Sequence, residues 1–132
     1  MENKIFTLHK TVTEADTAAH VGSGSLPVLA TPVLIAWMEA AACGCCAGLM
    51  EEGTTSVGTE MNMRHTAASP VGMKVTVTAE LTAVEGSILS FKVYAEDTAG
   101  AIGEGSHTRA IIRAERIMEK ANPKLAQLGN SH

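Results

Sequence analysis

Glu39 is the residue whose setting most plainly invites chemistry. Between Val33 and Met50 every other residue is apolar or small, and Glu39 is the one charged side chain. Burying a lone carboxylate costs several kcal/mol unless it is paired or protonated, so stability gives no reason to keep it. A desolvated carboxylate is a stronger base, suited to activating water or to direct attack. The structural alternative is an ion pair with Arg64 or Arg109. Cys43, Cys45 and Cys46 crowd the same stretch. Cys43 and Cys46 would share a helical face, but no second pair follows and no His lies nearby in sequence. Zinc takes four N/S ligands at recognisable spacing, so no metal site is expected and the thiols read as small core residues. His65 lies near the end of a strand-like stretch, and His107 alternates with Arg109 in a later one. Taken singly, His65 reads as a satisfied strand-end histidine and His107 as structural or interfacial. His9, His20 and His132 have no evident partners.

The elements that must position Glu39 follow from the pattern around it. Thr31 can cap a helix, and Pro32 suits its first position, where a missing N–H costs nothing. A helix apolar on every face belongs inside a protein or a bilayer. A span needs about 20 apolar residues, nearly the length of this run. Glu39 near its middle, Gly44 and Gly48, the lack of flanking Lys or Arg, and the strand-like segments downstream favour a core helix instead. Before it, Lys4–Val12 reads as a strand. Thr13–Ser25, ending in Gly22-Ser-Gly-Ser25, reads as a flexible connection, with a lid over a pocket at the helix N-terminus as the functional alternative. It lacks the GK[ST] ending of a phosphate loop.

After the helix, Ser56–Ala68 reads as a strand and Ser69-Pro-Val-Gly72 as a turn. Lys74–Val84 is the clearest strand, with Val75, Val77, Ala79, Leu81 and Ala83 on one face. Glu85-Gly86 makes a hairpin into Ser87–Asp97, where Leu89, Phe91 and Val93 face inward. Ala101–Arg113 follows, and Ala114–Leu128 reads as a short helical tail. One strand, a long helix and four strands joined largely by hairpins predict an α+β hotdog fold, one antiparallel sheet wrapped around one apolar helix. Residues 1–132 are expected to form a single domain.

Composition narrows the function. The net charge of −4 offers no basic footprint for nucleic acid or anionic lipid. One Trp, one Tyr and two Phe leave little for stacking on bases. Met1–Phe6 has no positive region followed by an apolar run, and the odd, crowded cysteines cannot form a disulfide framework, so a cytoplasmic location is expected. No cofactor motif is present.

With that order in hand, the chain resembles the hotdog-fold acyl-CoA thioesterases, and among them the fluoroacetyl-CoA thioesterase family. The resemblance runs from about Leu26 to Ile117. It rests on ATPVLIAWMEAA, on VGTEMNMRHTAASPVGMKVTVTAEL, and on VEGSILSFKVYAED followed by IGEGSHTRAII. It implies catalytic roles for Thr31, Glu39 and His65, which match in register with separations of eight and 26 residues. It also implies substrate roles for Gly58, expected to open the strand carrying His65, and for Arg109. One departure stands out. Where the fluoroacetyl enzyme carries lid phenylalanines before the helix, this chain has Gly22-Ser-Gly-Ser25.

Under that resemblance, Glu39 attacks the thioester or activates water, His65 exchanges a proton or polarises the carbonyl, and the N-terminus of the helix supplies free N–H groups for an oxyanion. Eight helical residues span about 12 Å and about 80° of rotation, too far for Thr31 and Glu39 to meet within one chain. A homodimer or dimer of dimers is therefore expected, with Thr31 from one subunit and Glu39 from its neighbour. Gly44 and Gly48, with Ala40, Ala41 and Ala47, would let two such helices approach closely. A hotdog dehydratase or hydratase and a non-catalytic acyl-CoA binding module are the two other classes open. The Thr31 match argues against the first, and the second would not need an ionisable Glu39.

Overall fold

The computed structural model describes residues 4–129. In chain order the elements are β1 (Ile5–Thr11), α1 (Ala18–Val21), α2 (Thr31–Cys46), β2 (Thr54–His65), β3 (Lys74–Glu85), β4 (Ile88–Asp97), β5 (Gly100–Arg113), α3 (Ala114–Ala121) and α4 (Pro123–Gly129). The strands form one antiparallel sheet in the order β1-β3-β4-β5-β2, so β1 and β2 are its edges. His132 lies outside the described residues.

Alternation drives the sheet onto the helix. Val75, Val77, Ala79 and Leu81 on β3, and Leu89, Phe91, Val93 and Ala95 on β4, are all buried. Into that face α2 inserts Leu34, Trp37, Met38, Ala41, Ala42, Cys45 and Cys46. Fully burying one large apolar side chain contributes about 1.5–3 kcal/mol, which makes this interface the main source of stability. The result is the hotdog arrangement. Thr31–Leu49 is long and apolar enough to cross a membrane, with mean hydropathy 1.5. Its inward stripe is instead spent on the sheet, while Pro32, Ala36, Ala40, Cys43 and Ala47 stay exposed on the opposite face.

Three expectations are corrected. Thr31 is not a cap: the cap position is Ala30, in extended backbone at φ −75 and ψ 140, and no side chain caps the helix. The stretch after β1 is not a loose connection. Thr13 and Asp16 make a capping box around a short 3-10 turn, and Gly22 closes α1 in the left-handed region. Ala18 N–H donates to Val28 O at 2.8 Å and Leu29 N–H to Ser69 O at 2.8 Å, so the segment is fastened at both ends. Finally, Gly44 faces β1 within its own chain rather than open helix surface. A Cβ there would lie 2.5 Å from the Phe6 ring, and one at Gly48 would lie 3.2 Å from Lys4 Nζ, so both glycines make room for β1 and the residue before it. Ala41 is buried in the core.

Candidate active site

The side chains singled out by sequence gather at two places along α2. At its N-terminal end, Thr31 Oγ1 and His65 Nδ1 share a hydrogen bond of 2.7 Å. Because Thr31 is inside the helix rather than capping it, its hydroxyl is free for this contact. His65 comes from the last residue of β2, and its Nε2 is buried without a hydrogen-bond partner. Burial lowers its pKa below the ordinary histidine value, with the Ala67 backbone opposing. The first turn of α2 offers less than a free helix end would. Pro32 has no N–H, and the Val33 and Leu34 N–H groups both donate to Ala30 O, at 3.1 and 3.0 Å. The Thr31 N–H is what remains.

A cavity of about 310 Å³ opens beside this pair, bounded by Ala18, Ser23, Val28, Leu29, Thr31 and His65. The segment between β1 and α2 thus forms one wall of a pocket at the helix N-terminus. Two roomier grooves lie elsewhere: about 440 Å³ around Glu80, Lys92 and Tyr94, and about 610 Å³ beside His9 and Lys74. Neither is lined by Thr31, Glu39 or His65.

Two turns further along α2, Glu39 meets a second group. Its carboxylate is not the buried lone charge expected: the side chain is 42% exposed, and Oε2 accepts from Arg109 Nη1 at 3.3 Å. Of the two arginines foreseen as its structural partner, Arg109 is the one. Arg64 lies exposed, in register with Glu104. Arg109 is itself buried, and Ser56 holds it twice, Oγ accepting from Nε at 2.8 Å and the backbone O from Nη2 at 3.0 Å.

Gly58 lies within β2, not at its start, and it faces this cluster. A Cβ there would come within 2.5 Å of Glu39 Oε2 and 3.3 Å of Arg109 Nη1. The register of β2 against β5 shifts directly after it, from Gly58↔Arg109 to Glu60↔Thr108. Such a bulge bends a strand and re-aims its side chains. Ser56 and His107 are the members that sequence reasoning missed. The alternation of His107 with Arg109 put both on one face, but only the bulged register reveals what that face meets.

Burial, then the nearby Arg109 charge, pushes the His107 pKa down, while the Glu60 carbonyl and Glu39 oppose. His65 and His107 therefore bind protons less readily in the folded chain than in the unfolded one, where histidine titrates near ~6.5. Their contribution to stability is full above that value and is lost as the pH falls through the lowered folded pKa. We expect Tm to fall between about pH 7.5 and about pH 5, a window above the ordinary carboxylate range. A flat Tm across it would count against buried neutral imidazoles.

Comparison with known proteins agrees with this architecture. A family model described as fluoroacetyl-CoA-specific thioesterase matches residues 12–115. The fluoroacetyl-CoA thioesterase of Streptantibioticus cattleyicolor is 44% identical over 97 residues, covering 74% of this chain and 70% of that protein. A solved structure of the fluoroacetyl-CoA thioesterase FlK superimposes with a TM-score of 0.89 at 38% identity, covering 94% of this chain and 97% of that one. A variant of FlK in complex with fluoroacetate and CoA gives a TM-score of 0.84 at 38% identity, covering 89% and 99%.

Proposed function

Since the chain belongs to the fluoroacetyl-CoA-specific thioesterase family, we propose that it hydrolyses the thioester of short acyl-CoAs, with Glu39 as the base or the nucleophile. As a base, Glu39 takes a proton from water while the oxygen adds to the thioester carbonyl. As a nucleophile, its carboxylate forms an anhydride that water then opens. In both cases the C–S bond breaks and the CoA thiolate leaves to take up a proton, giving the same acid and thiol. The observation that carries the reading is the pair of polar clusters on one helix, Thr31 with His65 and Glu39 with Arg109, in a chain of this family. Thr31 and His65 would bind or polarise the carbonyl, and Gly58 and Arg109 would face the substrate beside Glu39. The direct test is a thiol-trapping dye assay over a panel of acyl-CoAs. Binding without release of CoA would favour the acyl-CoA binding module instead.

A homodimer or dimer of dimers is part of this proposal. The two clusters share no residue, and Glu39 is half-exposed toward the face of α2 that carries Ala36, Ala40 and Cys43. The edge strand β2 bears Gly58 and pairs on one side only, with β5. Unpaired edges of this kind are templates for a second chain. A neighbouring copy would bring its Glu39 to the Thr31 and His65 of the first. The cytoplasm fits the three free cysteines, and the whole chain is read as one hotdog domain.

Two results follow from the geometry. Gly58→Ala should lower kcat by about 10- to 100-fold, because its methyl group would displace the Glu39 carboxylate, and misplacing a catalytic group by about 1 Å costs on that order. The variant's Tm is the control, and unchanged turnover would detach Gly58 from the site. The second result concerns the acyl group. The pocket wall is built from Ala18, Ser23 and Val28, with no aromatic ring to close it. Apolar pockets discriminate by only about 1–3 kcal/mol per methylene, and a wall of small residues should do less. The ratio of kcat/KM for fluoroacetyl-CoA over acetyl-CoA should stay near unity, within about tenfold. A preference above about 10³-fold would mean that another element supplies the gate.

A further inference from the structure

We propose that His107 is a positioning residue: a neutral imidazole protonated at Nδ1, which holds Arg109 against Glu39 and so sets where the carboxylate stands. The proposal rests on the reading of Glu39 as the acting group. Its geometry starts from Glu60, whose carbonyl oxygen lies 2.7 Å from His107 Nδ1. A carbonyl only accepts, so the ring proton is on Nδ1 and the lone pair on Nε2. Arg109 Nη1 lies 3.1 Å from that Nε2 and 3.3 Å from Glu39 Oε2. The other edges of the guanidinium are taken by Ser56, through Nε and Nη2. One terminal nitrogen thus bridges His107 and Glu39, and its direction is fixed by the ring behind it.

The ring cannot drift. His107 is 2% exposed and packs at a tilt against Phe91, with ring centroids 6.0 Å apart. The bulge next to Gly58 is what presents the Glu60 carbonyl to it. The charged groups facing the ring are Glu39 from α2 and Arg109 from its own strand. From β2 comes the Glu60 carbonyl, and from β4 the uncharged Phe91. Cys46 on α2 lies beyond Ser56, 4.0 Å from its Oγ, and burial pushes its thiol pKa up, so it stays neutral. Protonating Nε2 would remove the acceptor and set a second cation against Arg109. It would also draw off the carboxylate, whose Oε2 is 4.0 Å away. The Arg109–Glu39 contact therefore exists with His107 neutral and is released by acid.

Three full-length variants separate the parts of the ring. Gln reaches the Nε2 position with an acceptor, Asn reaches only the Nδ1 position, and Leu reaches neither with a polar atom. With acetyl-CoA, His107→Asn and His107→Leu should lower kcat by about 10- to 100-fold with KM within about threefold. His107→Gln should remain within about fivefold of the parent, and the acid limb of its kcat profile should lose one ionisation. A His107→Leu protein with parental kcat, or Asn and Gln variants with equal kcat, overturns the proposal. Should Leu fail to fold, the Asn and Gln pair decides. If the parent hydrolyses no acyl-CoA, the thioesterase reading fails instead. The 15N spectrum of the histidines then still tests His107: a neutral ring protonated at Nδ1 is expected at neutral pH, and one protonated at Nε2 overturns it.

Discussion

Glu39→Gln is expected to lower kcat by about 10³-fold in a protein that still folds. The amide has the size and shape of the carboxylate but can neither accept a proton from water nor attack a thioester. From the sequence, replacing a buried lone carboxylate by its neutral isostere is expected to cost nothing in stability, or even to raise it. The structure reverses that sign. Glu39 is half-exposed and Arg109 is the buried partner, so the amide leaves a guanidinium that is 7% exposed without a counter-charge. Tm should therefore drop by a few degrees while circular dichroism stays native. Turnover near that of the parent would remove Glu39 from the mechanism, whatever the Tm.

The second large effect is recovery of activity by mixing two inactive proteins. Thr31→Ala lacks the hydroxyl that meets His65, and Glu39→Gln lacks the carboxylate proposed to act on the thioester. If each site takes Thr31 from one chain and Glu39 from the other, a mixed dimer holds one intact site and one doubly damaged site. Random re-annealing makes about half of the dimers mixed, so activity should return to about a quarter of the parental value. Subunit exchange is confirmed by mass-tagging one variant. An exchanged sample that stays inactive would put both residues in the same site of one chain, or show that they do not cooperate.

The parts legible in the sequence were those governed by local periods. The alternation through Val75, Val77, Ala79 and Leu81 gave β3, and its hairpin partner followed from Glu85-Gly86, because a strand's faces repeat every two residues. What failed was set by distant chain. Thr31 looks like a cap, but Ala30, whose N–H donates to the distant Asp16 O at 2.9 Å, holds that position in extended backbone. Gly22-Ser-Gly-Ser25 looks loose by composition, yet Thr17 bridges Leu29 and Val28 bridges Pro70. Gly44 suggested a helix partner, and only Phe6, 38 residues earlier, explains it. The Thr31 and His65 pair was found through family resemblance. Ser56 and His107 needed the bulge between Gly58 and Glu60, which no local pattern announces.

The wall formed by the segment from Thr13 to Ala30 has an evolutionary corollary. Apart from the two bonds that Ala30 O accepts from the first turn of α2, its backbone bonds close within itself and onto Ser69: Ala19 N–H to Leu26 O at 3.1 Å, Ala30 N–H to Asp16 O at 2.9 Å, Leu29 N–H to Ser69 O at 2.8 Å. None of these runs to Glu39, Arg109, Ser56 or His107. Effects of substitutions that share no partners tend to add. Residues such as Ala18 and Ser23 are thus free to change under selection while the Glu39–Arg109 ion pair, two turns further along α2, stays as it is. A lineage built this way can trade one acyl group for another by small, independent steps, and it can do so without passing through a catalytically dead ancestor.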